Sequence, residues 1–168
     1  MKYALIGCGR IATNHIKAAV NNDLAIVAIC DIVPEKMEQL LAKHGLEKET
    51  TIARFTDYKD MLTVVRPDFV SIATESGKHA EIALYCIDNG IHVIIEKPMA
   101  MSMKDADEIV RRSQEKNVKV AACHQNRFNI AVQKRIFNGV IDFRHAFHHR
   151  QRPFGGKDIN HRLWVLTA

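Results

Sequence analysis

A doubly wound α/β fold around a mostly parallel sheet is predicted by three features of the sequence. Short apolar runs alternate with helical patterns over residues 1–124. The clearest of these runs lack polar alternation, as strands covered on both faces do. A glycine-rich turn separates the first run from the first helical pattern. Strands that alternate with helices pair in parallel through right-handed crossovers.

The elements follow in order. Lys2–Ile6 is an apolar strand ending at Gly7, and Ile11–Val20 is helical, with Ile11, His15, Ala18 and Ala19 on one side. Leu24–Cys30 is a second strand, closed by Asp31. Pro34 opens a helix that runs to His44, with Gly45 as its stop. Ile52–Phe55 is a weaker third strand, and Asp57–Val64 a short helix capped by Asp57. Asp68–Ala73 is the fourth strand, Lys78–Asn89 a helix, and Ile91–Ile95 the fifth strand. Ser102, with Asp105 three residues on, caps a helix reaching Lys116, and Val118–Cys123 is the sixth strand.

Composition narrows the functional classes. The net charge of +5 is concentrated late: residues 135–168 hold six of the 24 basic and two of the 19 acidic residues, leaving +1 over residues 1–134. The main body is nearly neutral, so the basic balance does not argue for nucleic acid. No apolar run approaches the ~18 residues of a membrane span. The start, MKYALIGCGR, reads as a strand entering a turn and not as a signal peptide, which predicts a cytoplasmic protein. Cys8, Cys30, Cys86 and Cys123 show no CxxC spacing and are expected as reduced thiols. His145, His148, His149 and His161 share no fixed spacing on a periodic element, and no metal is assigned to them. Met99, Met101 and Met103 read as gap-fillers near the site.

Gly7-Cys8-Gly9-Arg10-Ile11-Ala12 matches G-x-G-x-x-G/A, and its context carries the assignment: it follows a strand, opens a helix and precedes an acid, Asp31, at the end of the next strand. Gly7 allows the tight turn, Gly9 lets a diphosphate approach the backbone, and Ala12 lets the helix pack closely. The free N–H groups of the first helical turn then face the phosphates. Asp31 would accept the hydroxyls of an adenosine ribose. A 2′-phosphate beside that carboxylate at ~4 Å would cost about 4 kcal/mol at an effective dielectric near 20, so NAD is expected over NADP. Two roles are open to Arg10, phosphate clamp or solvated helix residue.

A second constellation stands at the carboxyl ends of later strands, where ligands bind in such sheets. Thr74 and Glu75 leave the fourth strand and would meet the middle of the cofactor; His79 would touch the site or be satisfied locally. Lys97, in Glu96-Lys97-Pro98 after the fifth strand, would point toward the nicotinamide and hold or deprotonate a hydroxyl; by position alone a solvated lysine fits equally.

GCGRIA, the ICD closing the second strand, EKPMAMS and CHQNRFNIAVQK together resemble the Gfo/Idh/MocA family of sugar and cyclitol oxidoreductases. The resemblance covers residues 1 to about 134. It implies a Rossmann domain over residues 1–124, NAD as cofactor, Lys97 at the nicotinamide and substrate as the catalytic residue, and Glu96 as a supporting cofactor contact. Asn126 and Arg127, in a linker at the rim of the site, are implied neighbours of cofactor or substrate. HQNRFN looks most like members acting on nucleotide-linked amino sugars. Glu75-Ser76 departs from the Pro-Asn common there.

Residues 125–168 are expected to form the linker and only a remnant of the family's C-terminal α+β domain. After Lys134 the sequence resembles out-of-frame translation, a truncated gene product or a divergent remnant. Two functions follow as expectations: NAD-dependent oxidation of a sugar, nucleotide-sugar or cyclitol hydroxyl, or dinucleotide binding without turnover. The partner class is a sugar-like small molecule, without nucleic acid or membrane. Phe128 and Ile130 would expose an apolar patch without the substrate domain, which leaves a homo-oligomer open.

Overall fold

The computed structural model describes residues 1–124. Its strands are β1 (Lys2–Ile6), β2 (Ala25–Cys30), β3 (Ala53–Phe55), β4 (Phe69–Ile72), β5 (His92–Ile95) and β6 (Val120–Ala122). Its α-helices are α1 (Ala12–Asn21), α2 (Pro34–Lys43), α3 (Tyr58–Val65), α4 (His79–Asp88) and α5 (Met103–Glu115). The strands form one sheet in the order β3-β2-β1-β4-β5-β6, every pairing parallel. The doubly wound α/β expectation is met, with each main element within about two residues of its predicted bounds.

Strand alternation sorts the core onto two faces. Tyr3 and Leu5 of β1 pack with Ile29, Phe69 and, from α1 and α2, Ile16, Met37 and Leu41. Ala4 and Ile6 turn the other way and pack with Val70, Ile72, Val93 and, from α3, α4 and α5, Met61, Ile82 and Ile109. Leu5, Ile29 and Leu41 are fully buried, each contributing roughly 1.5–3 kcal/mol. This double coverage is why the strands read as continuous apolar runs.

Local chemistry sets the helix starts. The Asp57 side chain accepts from the backbone N–H groups of Lys59 at 2.6 Å and Asp60 at 3.3 Å. Ser102 Oγ accepts from Asp105 N–H at 3.1 Å, and its hydroxyl donates to Asp105 Oδ2 at 2.7 Å. Helix α1 differs: no side chain caps it, and no acid occupies its first turn.

Chain order reverses between β1 and β4. From β1 the chain winds outward to β2 and β3, then returns to β4 on the other side. The crevice at the carboxyl ends of β1 and β4 is therefore the place such a sheet offers a ligand. No helix among the described residues is long and apolar enough to cross a membrane. Asn126, Arg127, Phe128, Ile130 and the late histidines lie outside the described residues.

Candidate functional site

The glycine turn is held from two sides. Gly7 has φ +93°, and a Cβ there would lie 2.6 Å from the Ala73 carbonyl carbon and 2.7 Å from Thr74 N. The turn is thus pressed against the end of β4, a contact the sequence does not show. Gly7 N–H donates to Cys30 O at 2.8 Å. Around Gly9 the position of a Cβ meets nothing within 4 Å, so that face is open.

Ala12 is fully buried, letting α1 approach the sheet, and Ile11 stands just before the helix as its N-cap residue, half-buried. No side chain caps this first turn: Ala12 N–H donates to Gly9 O at 3.1 Å and Asn14 N–H to Ile11 O at 2.9 Å, and the positive end of the helix dipole faces the place an anion would take. Arg10 is exposed. It lines a shallow depression of about 290 Å³ with Cys8, Gly9, Thr13, Lys36 and Lys43. Lys36 and Lys43 escape the sequence reading because nothing in their spacing ties them to the turn. With Arg10 they put three positive side chains on the lining of the depression that includes Gly9, a charge that suits a diphosphate.

Asp31, at the end of β2, is buried. Its Oδ2 accepts from Cys8 N–H at 2.8 Å and its Oδ1 from Val33 N–H at 2.9 Å. The carboxylate therefore fastens the glycine turn to the second strand. Each oxygen has a further lone pair for a ribose hydroxyl. Beside it, Ile32 is 83% exposed.

On the other side of the switch, Thr74 is half-buried and Glu75 exposed. A single 3₁₀ turn over Ser76–Lys78, not anticipated from sequence, leads into α4. His79 is buried, with Nδ1 at 2.8 Å from Pro98 O and Nε2 at 3.1 Å from Thr74 O. Its hydrogen bonds are those of a brace between the loops after β4 and β5. Lys97 is exposed, and its backbone N–H donates to Glu96 Oε2 at 3.3 Å. The Lys97–Pro98 peptide is cis.

Glu96 is buried and does not stand alone. His15 Nε2 donates to Glu96 Oε1 at 3.0 Å, joining residues 81 positions apart. Cys123, opposite Glu96 at the end of β6, hydrogen-bonds the same carboxylate; burial first, then the Glu96 charge, pushes its thiol up to about 12. The donor atoms of His15, Glu96 and Cys123 lie within 4.8 Å of one another. Two ligands of one tetrahedral zinc would stand about 3.3–3.5 Å apart; the 3.0 Å contact is a hydrogen bond's. Cys8, Cys30 and Cys86 are buried, and burial likewise pushes each thiol up to about 12.

A larger depression, about 670 Å³, lies at the amino ends of the strands among Met1, Arg66, Asp68 and His92, away from all of these groups.

An uncapped helix start behind an open glycine, with a carboxylate on the neighbouring strand, defines a dinucleotide-binding α/β domain. Comparison with known proteins specifies it further. Residues 1–124 match the family model described as oxidoreductase family, NAD-binding Rossmann fold. The chain belongs to this Gfo/Idh/MocA family, whose cofactor is NAD.

Among curated relatives, a 4-carboxy-2-hydroxymuconate-6-semialdehyde dehydrogenase of Sphingobium sp. is 32% identical over 142 residues, covering 84% of this chain and 43% of its own length. A D-glucoside 3-dehydrogenase of Escherichia coli is 30% identical over 147 residues, covering 84% of this chain and 40% of its own. Among solved structures, the WlbA dehydrogenase of Bordetella pertussis, in complex with NADH and UDP-GlcNAcA, is 36% identical with a TM-score of 0.71, covering 82% of this chain and 42% of that one. The chain thus spans about two fifths of the length of the relatives it matches.

Proposed function

We propose that residues 1–124 bind NAD across the carboxyl ends of β2, β1, β4 and β5, and that in a protein of the relatives' length this site carries NAD-dependent oxidation of a sugar-like hydroxyl. The observation that carries the reading is the glycine turn, pinned by Asp31 and pressed on β4, with Gly9 open in front of an uncapped α1.

The residues divide the work by position. Gly9 and the first turn of α1 would face the diphosphate, with Arg10 alongside, and Asp31 the adenosine ribose. Thr74 and Glu75 would line the middle of the cofactor. Glu96 and Lys97 would stand at the nicotinamide. Bound NAD supplies the hydride acceptor. Oxidation of the alcohol would break its C–H and O–H bonds and form the carbonyl; NAD would take up the hydride, and a base of this chain the proton. Lys97, exposed at the end of β5, is assigned to hold the hydroxyl and take that proton.

The substrate class we favour is a nucleotide-linked sugar. The support is the HQNRFN segment and the likeness to a dehydrogenase solved with NADH and UDP-GlcNAcA. In this reading residues 125–168 are the linker and the start of the substrate domain, and Asn126 and Arg127 would neighbour the bound cofactor or substrate.

The second reading, binding without turnover, concerns these 168 residues taken by themselves, which span about two fifths of the length of the relatives they match. Calorimetric titration with NAD and NADH absorbance across a panel of sugars and UDP-sugars separate the two. NAD binding with little NADH formed is expected of this chain. Robust turnover would overturn the second reading, and absence of NAD binding the first.

A further inference from the structure

We infer that His15 is a positioning residue for the nicotinamide half of the site: it holds the Glu96 carboxylate, and through it sets the Glu96-Lys97-Pro98 loop against the helix that faces the diphosphate. The inference rests on the cofactor reading above and adds a residue to it.

The geometry is specific. His15 lies one turn into α1, on the side that also carries Ile11, Ala18 and Ala19. Its ring is largely buried and reaches across to the end of β5, where Nε2 meets Glu96 Oε1 at 3.0 Å. The other carboxylate oxygen accepts the Lys97 N–H at 3.3 Å, so one buried carboxylate joins the helix to the backbone of the residue assigned to the hydroxyl. The Cys123 thiol closes the third side. A buried carboxylate that loses a hydrogen-bond partner pays a desolvation cost, and the loop carrying it shifts toward water or another donor.

The sheet order says which end of the cofactor would feel this. Asp31 ends β2, on one flank of the switch, and Glu96 ends β5, on the other. Three strand spacings separate them, about 14 Å. An extended dinucleotide with its ribose at β2 and its diphosphate at β1 brings its nicotinamide to β4 and β5. Helix α1 then serves both halves, the diphosphate by its N-terminus and the nicotinamide by His15.

The test compares ligands that share the adenine half. ADP affinity and NADH affinity are measured by calorimetry, and the nicotinamide emission of NADH reports the environment of its ring. In His15→Leu, ADP affinity is expected within about twofold of the unsubstituted chain, while NADH weakens about tenfold and loses its emission enhancement, the scale of one hydrogen bond to a charged group. His15→Gln, whose amide can still donate to Glu96, is expected to recover most of both NADH signals. Thermal melting checks folding; should the leucine variant fail to fold, His15→Asn, polar but too short to reach Glu96, takes its place with the same expectations. An equal loss of ADP and NADH would make His15 a packing residue only and overturn the assignment, as would unchanged NADH binding. Failure of the unsubstituted chain to bind ADP would contradict the dinucleotide reading itself, and this assignment with it.

Discussion

Gly7→Ala is expected to destabilise the folded domain by about 4 kcal/mol, from a strained positive φ and an overpacked contact together. The new methyl would sit 2.6 Å from the Ala73 carbonyl carbon, and that neighbour is backbone, unable to swing aside. Relief requires β1 and β4 to part, and these two strands pair along Tyr3–Ile6 and Phe69–Ile72 at the centre of the sheet. With total stabilities of about 5–15 kcal/mol, the loss is a large share of the whole. Chemical denaturation followed by circular dichroism measures it, and a drop in Tm of more than ~10 °C should accompany it.

Gly9→Ala is the matched control. Nothing lies within 4 Å of the new methyl, so stability should move by less than about 0.5 kcal/mol. NAD affinity should nevertheless fall at least about tenfold, because the methyl occupies the line of approach of the diphosphate. The pair separates folding from binding at two glycines of one motif. An unchanged melting curve for Gly7→Ala, or unchanged NAD binding for Gly9→Ala, would contradict the turn's assigned roles.

Asp31→Ala is expected to lower NAD affinity about 100-fold, the loss of two hydrogen bonds from ribose hydroxyls to a charged acceptor. It should also narrow the preference for NAD over NADP. The carboxylate that repels a 2′-phosphate is gone, while Lys36 and Lys43 remain in the depression beside the turn. Stability should fall by about 1–3 kcal/mol as well, since the Cys8 N–H loses its buried acceptor. Calorimetric titration of both cofactors, with thermal melting in parallel, reads all three effects. Full retention of NAD affinity would remove Asp31 from the site.

These expectations draw on parts of the molecule that differ in how far sequence reaches them. The central strands are legible because burial on both faces leaves nearly continuous apolar runs, as in KYALI of β1, buried at every position after Lys2, whereas β3, half-buried throughout and carrying Arg54, reads more weakly. The starts of α3 and α5 are legible because Asp57 and Ser102 are the caps a helix requires. The Ser76–Lys78 turn is not, because a single 3₁₀ turn has no period to detect.

The glycine motif singles out Asp31 as the candidate ribose partner, yet its bond to the Cys8 N–H depends on how two neighbouring strands end in space. The His15–Glu96 contact crosses 81 residues and no local pattern records it. The available signal was a histidine on the apolar side of α1, together with Glu96 and Cys123 at the ends of adjacent paired strands. Lys36 and Lys43 are a similar case: on an exposed helix face lysines are ordinary, and only the fold brings them to the turn.

The turn after β1 is the proposed receptor for the diphosphate of NAD. The most direct measurement is a crystal structure of the chain grown with NAD. The diphosphate is expected over Gly9 and the first turn of α1, with the adenosine ribose on Asp31 and the nicotinamide reaching toward Lys97. A cofactor bound elsewhere, with the face of Gly9 still bare, would rule out this turn as the diphosphate site.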